Sequence, residues 1–255
     1  METNFRSNAL SIALVLALGG AGGLITSTIV ASRAYQTHGE QARKTDQTIV
    51  VTGSARKRIH SDLAIWTIHV SGEDQDLKKA YQILKDGLDR VRKFLDERKF
   101  ESKEVSLGAI ETETHYARDL KGNEIRDVSS HTLDRSFVVT TSNVDKISGT
   151  AAEVTELIQE GIHVTSWSPK YHYTKLNELK IEMLGEASKN ARERADKIAQ
   201  NAGCRVTEVR NARMGVLQIT RSDSTEVSDS GINDTSTIDK DVTAVVTLTL
   251  GIETQ

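Results

Sequence analysis

Apolar positions first gather in one uncharged run near the amino terminus and then recur in alternating and helical patterns almost to the last residue. Thr48–Ser54 and Leu63–Gly72 are β-branched runs that read as strands, and the basic stretch Arg56-Lys57-Arg58 between them reads as a hairpin or bend. In the second run Leu63, Ile65 and Thr67 point one way and Ala64, Trp66, Ile68 and Val70 the other, so both faces are expected to be covered. From Asp74 to Lys99 the pattern changes period. Leu77, Ala80, Tyr81, Leu84, Leu88, Val91 and Leu95 recur at three- and four-residue steps and predict an amphipathic helix. Val105–Tyr116 and Val128–Thr141 then read as strands about a turn at Lys121-Gly122-Asn123.

Asn143 is placed to cap a helix that runs through Glu160, with Gly161 just past its end. Ile162–Tyr173 reads as a strand. Thr174–Ala202 is a long helix with an inner stripe of Leu176, Leu179, Met183, Leu184, Ala187, Ala191, Ala195, Ile198, Ala199 and Ala202, closed by Gly203. Cys204–Thr220 and Asp241–Ile252 are the last strands, the second alternating at Val242, Ala244, Val246, Leu248 and Leu250. Between them Arg221–Lys240 is rich in Ser, Thr and Asp and poor in apolar residues, so little burial offsets its ordering entropy. It is expected to be a mobile loop. The order β-β-α-β-β-α-β-α-β-β, with strands contiguous in pairs, predicts an α+β fold: a largely antiparallel sheet with three packed helices. The organisation read from this is an anchor or signal sequence at 1–33, a linker at 34–47 and one domain at 48–255.

The amino-terminal run adds a membrane to the picture. Ser7–Ser32 contains no charge. As a helix it would span about 39 Å at 1.5 Å per residue, against a hydrocarbon core of about 30 Å. A cleaved signal peptide is the alternative, with Ala9–Leu18 as its apolar region and Gly19–Gly23 near the cut. The apolar run resumes at Leu24 and the leading positive charge is only Arg6 and the amino terminus, which favours an uncleaved anchor. Arg33, Arg43 and Lys44 follow the run, so a positive-inside count alone would place the domain in the cytoplasm.

Charge and composition then exclude functions more readily than they assign one. The 33 basic and 36 acidic residues give a net charge of -3, without the basic surplus that backbone binding to nucleic acid requires. Cys204 is the only cysteine, which rules out an intrachain disulfide and a thiolate zinc cluster. No phosphate-cradling glycine loop, GxSxG elbow or HExxH pair occurs in the domain. The seven histidines (His38, His60, His69, His115, His131, His163, His172) show no ligand spacing and read as structural, with a metal site assembled from distant ones as the alternative. Trp167, Pro169, Tyr171 and Tyr173 share a strand face, either as core or as an aromatic binding surface. No catalytic, cofactor-binding or metal-ligating residue is assigned, and no cofactor.

Several stretches together resemble one family. Ile49-Val50-Val51-Thr52-Gly53-Ser54-Ala55 followed by Asp62-Leu63-Ala64, and Val139-Thr140-Thr141 through Asp145-Lys146-Ile147 to Leu157-Ile158 and Gly161, are similar to segments of the SIMPL-domain proteins of bacterial envelopes. So are Ala187, Ala191, Arg192, Ala195, Ile198, Ala199 and Gly203, and the closing run Val242–Leu250. The resemblance implies an inner-membrane, single-pass protein with its domain in the periplasm, against the charge count. It further implies a non-enzymatic oligomeric scaffold or oxidative-stress factor, whose partners are the lipid bilayer and further copies of itself. A periplasmic ligand- or metal-binding module is the alternative, with the small molecule unknown. The long 221–240 loop and the basic 56–58 stretch depart from the family and leave its oligomer geometry open.

Overall fold

The computed structural model describes residues 47–254. The expected anchor and nearly all of the linker lie outside these residues, and among those described no helix is long and apolar enough to cross a membrane. Ten strands and three α-helices follow in order: β1 (Thr48–His60), β2 (Leu63–Asp74), α1 (Leu77–Glu97), β3 (Val105–Leu107), β4 (Glu111–Arg118), β5 (Glu124–Thr141), α2 (Val144–Glu153), β6 (Val164–Ser166), β7 (Lys170–His172), α3 (Leu176–Asn201), β8 (Cys204–Met214), β9 (Gln218–Arg221) and β10 (Asp239–Thr254). The α+β class with antiparallel sheets and three helices is as expected. Three expected strands are each interrupted, and each break has a local cause. Gly108 between β3 and β4 turns its N–H to the Ser136 carbonyl. Pro169, with no N–H to give a ladder, falls between β6 and β7. Gly215 between β8 and β9 donates to the Val245 carbonyl.

The chain divides into two units. Among the described residues one takes 47–53, Ser188–Arg213 and 246–254; the other takes Ser54–Ala187 and Met214–Val245. The larger unit is built on a six-stranded sheet. Its spine is β5 beside β2, paired antiparallel from Ala64↔Thr141 to Asp74↔His131. Both β3 and β4 lie along the far edge of β5, and β6 and β7 along the far edge of β2. Ala64, Trp66, Ile68 and Val70 are fully buried and join the inner stripe of α1, while the opposite face of β2 is only half-buried. Trp66 keeps its indole N–H satisfied by donating to Ser166 Oγ at 3.0 Å.

Helix α1 starts where Asp76 accepts from the backbone N–H groups of Lys78 and Lys79. Its buried residues are Ala80, Leu84, Gly87, Leu88, Val91, Phe94 and Leu95. Leu77 and Tyr81, expected inside, are exposed, because the stripe rotates toward Gly87 and Phe94 to follow the sheet. Helix and strand meet closely at Gly72, where an added Cβ would fall 2.4 Å from the Ala80 carbonyl oxygen. Asn143 caps α2 by accepting from Lys146 N, and the helix tightens to a 3-10 stretch over Val154–Glu160 before Gly161 ends it at φ 82°.

In the smaller unit the second half of α3 buries Ala191, Ala195 and Ala199, as the alanine stripe predicts. Ile198 is 51% exposed and Ala202 is also exposed, so the stripe is narrower than the sequence implied. Arg192 donates to the carbonyls of Thr207 and Val206 on β8, and Arg194 to that of Thr52 on β1. The alternation of β10 is as expected, with Val242, Ala244, Val246, Leu248 and Leu250 all buried. In the second sheet β10 lies between β1 and β8, with β9 also paired to it.

Candidate functional site

Three groups of polar residues stand out, and each is built differently. The first straightens out the basic triplet. Arg56, Lys57 and Arg58 are not a solvated bend but the continuation of β1, and each reaches a carboxylate. Arg56 Nη2 donates to Asp241 Oδ2 at 2.6 Å, Arg58 donates to Asp241 and Asp223, and Lys57 Nζ to Glu182 at 2.6 Å. Asp241 is buried, and also accepts from Asp223 N at 2.9 Å. The hydrogen bonds from Arg58, then that from the Asp223 backbone, hold its carboxyl far below the usual carboxylate range.

Next to it Lys240 is fully buried and donates to the carbonyls of Tyr171 and Thr237. Desolvation lowers its pKa. Asp234 faces it and accepts from Ser236 and Thr237. Burial works against that carboxylate, but these hydrogen bonds and the Lys240 charge prevail and hold its pKa down to about 2. The segment 221–240, poor in apolar residues, makes polar contacts of this kind, and its Ile238 packs against the core. Gln218 extends the pattern by donating to the carbonyls of Val216 and Ser228.

The second group lies on the half-buried face of β2 and β5. His69 stands opposite Ser136, with Asp134 one step along the same face. Its Nδ1 is 3.1 Å from Ser136 Oγ and its Nε2 3.1 Å from Asp134 Oδ1. With Gly108, Glu111, Arg135 and Trp167 these residues line a cavity of about 240 Å³. The residue types are those of an acyl-transfer triad. A nucleophilic serine also needs N–H donors aimed at a developing oxyanion, and Ser136 sits in mid-strand with its carbonyl taken by Gly108 N. The arrangement fits a polar ladder better than a nucleophile. The aromatic face splits here: Tyr171 is buried core, whereas Trp167 is 59% exposed.

The third group is a hairpin arm. Before His131, β5 has lost β2 and pairs with β4 alone. Its pairing shifts register between His115 and Arg118, with the extra residues on β5, and polar contacts tie the two strands together. Asp119 accepts from the backbone of Lys121 and Asn123, Gly122 takes φ 85°, Thr114 bonds His131 at 3.0 Å, and His115 bonds Thr132 at 2.9 Å. Outwardly it is bare. Tyr116 and its cross-strand partner Val128 are exposed, as are Leu120 and Ile125. Among the described residues no strand pairs with the far edge of β4. An edge of this kind presents unpaired N–H and C=O groups to any chain that can match it.

A family model described as SIMPL, a protein of unknown function (DUF541), matches residues 49–250. The chain belongs to the SIMPL family. All three groups lie within the matched stretch of the SIMPL domain. No curated protein matches it. Among solved structures it is similar to an uncharacterized conserved protein from Listeria innocua, at 12% identity over 78% of this chain and 92% of that one, with a TM-score of 0.20. A hydrolase from Listeria innocua also matches at 12% identity, over 78% and 91% of the two chains, with a TM-score of 0.20. Likenesses at that level carry no argument about fold or activity.

Sequence reasoning missed the pairings in the SIMPL domain that join distant residues, such as Arg58 with Asp241 and His69 with Asp134. His60, His69, His115 and His131 find Asp, Ser or Thr partners rather than one another. Among the described residues no group of three or more His, Cys, Asp or Glu is placed to hold a metal ion. The arm had one legible signal: Tyr116, Leu120, Ile125 and Val128 are apolar residues flanking a turn where polar ones are usual.

Proposed function

We propose that this SIMPL protein is a non-enzymatic, homo-oligomeric scaffold of the cell envelope with a stress-related role. In this reading the uncharged segment Ser7–Ser32 tethers it to the inner membrane and the domain lies on the periplasmic side. The observation that carries the oligomer is the uncovered β4–β5 arm, with exposed Tyr116, Leu120, Ile125 and Val128 and an open strand edge. A two-stranded ribbon is marginal in water by itself, so an arm of this length gains from a partner. The test is the native mass of the full chain in mild detergent. A discrete assembly is expected, and a monomer at tens of micromolar would reject the reading. For the tether, the protein should stay in the pellet after a carbonate wash, with its amino terminus intact. A mature chain beginning between Gly19 and Arg33 would count against it.

One observation favours a second reading, a ligand-binding module: the cavity beside exposed Trp167 is lined by His69, Asp134 and Ser136. It would be supported by a small molecule that raises the melting midpoint of the wild-type chain but not of Trp167→Ala.

A further inference from the structure

Resting on the self-assembly reading above, we infer that two copies of this chain join edge to edge through β4, antiparallel, about a two-fold axis at Thr114. Symmetry, charge and the length of the strand together leave this register. An isologous pair is self-complementary, so residue i meets j and j meets i. For adjacent antiparallel strands the axis is then perpendicular to the sheet, and directly opposed side chains point to the same side. Only residues of equal parity on the strand can be opposed, so the sum of opposed residue numbers is even.

The strand reads Glu111-Thr112-Glu113-Thr114-His115-Tyr116-Ala117-Arg118, acidic in its first half and basic in its second. An axis at Glu113 puts that carboxylate against its own copy. An axis at Glu111 is excluded in the same way, one at Thr112 opposes Glu111 to Glu113, and those at His115 and Tyr116 oppose Asp119 to Glu111 and to Glu113 respectively. Axes at Ala117 and Arg118 leave at most the last three strand positions to pair before the turn that Asp119 closes. Like charges directly opposed are destabilising. With the axis at Thr114, Glu113 meets His115 of the second copy, Thr112 meets Tyr116, Glu111 meets Ala117, and Thr114 meets Thr114. Opposite-charge or hydrogen-bonded pairs, aromatic–β-branched pairs and Thr–Thr pairs are each favourable across strands.

The side chains are positioned for it. His115 Nε2 is occupied by Thr132 Oγ1 at 2.9 Å, while its Nδ1 is 3.9 Å from Glu113 of its own strand, too far for a hydrogen bond. A Glu113 carboxylate from the second copy can take that nitrogen. Pairing also joins two six-stranded sheets into one of twelve strands, and brings Tyr116 of each arm over Thr112 of the other.

The test is oxidative cross-linking of the full chain in a Cys204→Ser background, alongside its native mass. Thr114→Cys places the two thiols opposite each other on the axis and should convert most of the protein to a disulfide dimer. Glu111→Cys puts its thiols roughly 20 Å apart, at about 3.4 Å per residue, and should stay monomeric on a non-reducing gel. A second variant pair guards against misfolding. Glu113→Lys should abolish the assembly, and Glu113→Lys with His115→Glu should restore it. An assembly by mass with no cross-link at Thr114→Cys, or equal cross-linking at both positions, overturns this register but leaves self-assembly standing. A monomeric native mass overturns both.

Discussion

Replacing Asp241 by Asn tests whether a buried carboxylate fastens the polar segment 221–240 to β1. The substitution keeps shape and one acceptor oxygen but removes the charge, and it turns an amide N–H₂ toward two guanidinium groups. Asp241 now accepts from Arg56 Nη2, from Nε and Nη2 of Arg58 and from Asp223 N. A hydrogen bond to a charged group contributes about 1.5–3 kcal/mol. The arginine side chains are 50% and 56% exposed, so solvent screens their share and the bonds do not sum. About 2 kcal/mol of destabilisation at pH 7 is expected. Urea unfolding followed by tryptophan fluorescence measures it, since Trp66, Trp167 and Asp241 belong to the same unit.

The pH dependence fixes the cause. The folded-state pKa of Asp241 is depressed, so its contribution is fully present above the unfolded value of about 3.9 and is lost as pH falls through the lower folded value. The stability gap between wild type and Asp241→Asn should therefore hold from pH 7 to about 5 and narrow below about 4. A gap under about 0.5 kcal/mol at pH 7, or one that widens in acid, would refute the reasoning.

Two further substitutions probe packing. Ala191→Leu adds three carbons at a position with no exposed surface and should cost roughly 1–3 kcal/mol by overpacking. Lys189→Ala and Glu193→Ala, both exposed, should change stability by no more than about 0.5 kcal/mol. Chemical denaturation separates the two outcomes, and equal effects would mean the helix faces are misassigned. Gly72→Ala brings a methyl against the backbone of α1 at Ala80 and Leu84. Backbone cannot step aside as a side chain can, so a loss near the top of the roughly 1–3 kcal/mol overpacking range is expected, and a midpoint within experimental error of wild type would sink the close-approach argument.

Much of this architecture was legible because burial is periodic. The alternation of β10 and the alanine stripe of α3 both announce their buried faces, and Asn143, Gly161 and Gly203 mark helix ends by chemistry that needs no tertiary contact. What escaped was decided across the sheet. Arg56–Arg58 read as a bend because three cations interrupt an apolar run, yet Asp241, Asp223 and Glu182 neutralise them and let the strand continue. The 221–240 segment is poor in apolar residues, and the contacts of Lys240, Asp234 and Gln218 that hold it leave no periodic signal. Ser136 and His69 are separated by 67 positions, and no local pattern announces that the register of β2 on β5 brings them together.

The position of β10 between β1 and β8 sets a schedule for folding. Thr52 reaches Thr247 through their hydroxyls, and Ile252 N bonds the Gln47 carbonyl, so the first strand of the domain is completed by the last. A chain emerging from the ribosome carries β1 and β8 for some time without the strand that separates them. Contacts so far apart in sequence slow folding, because the entropy of closing the intervening loop comes before any reward. The smaller unit therefore closes only after nearly the whole chain has been made. A truncation before Val246 would leave β1 without the end of β10 that completes its ladder.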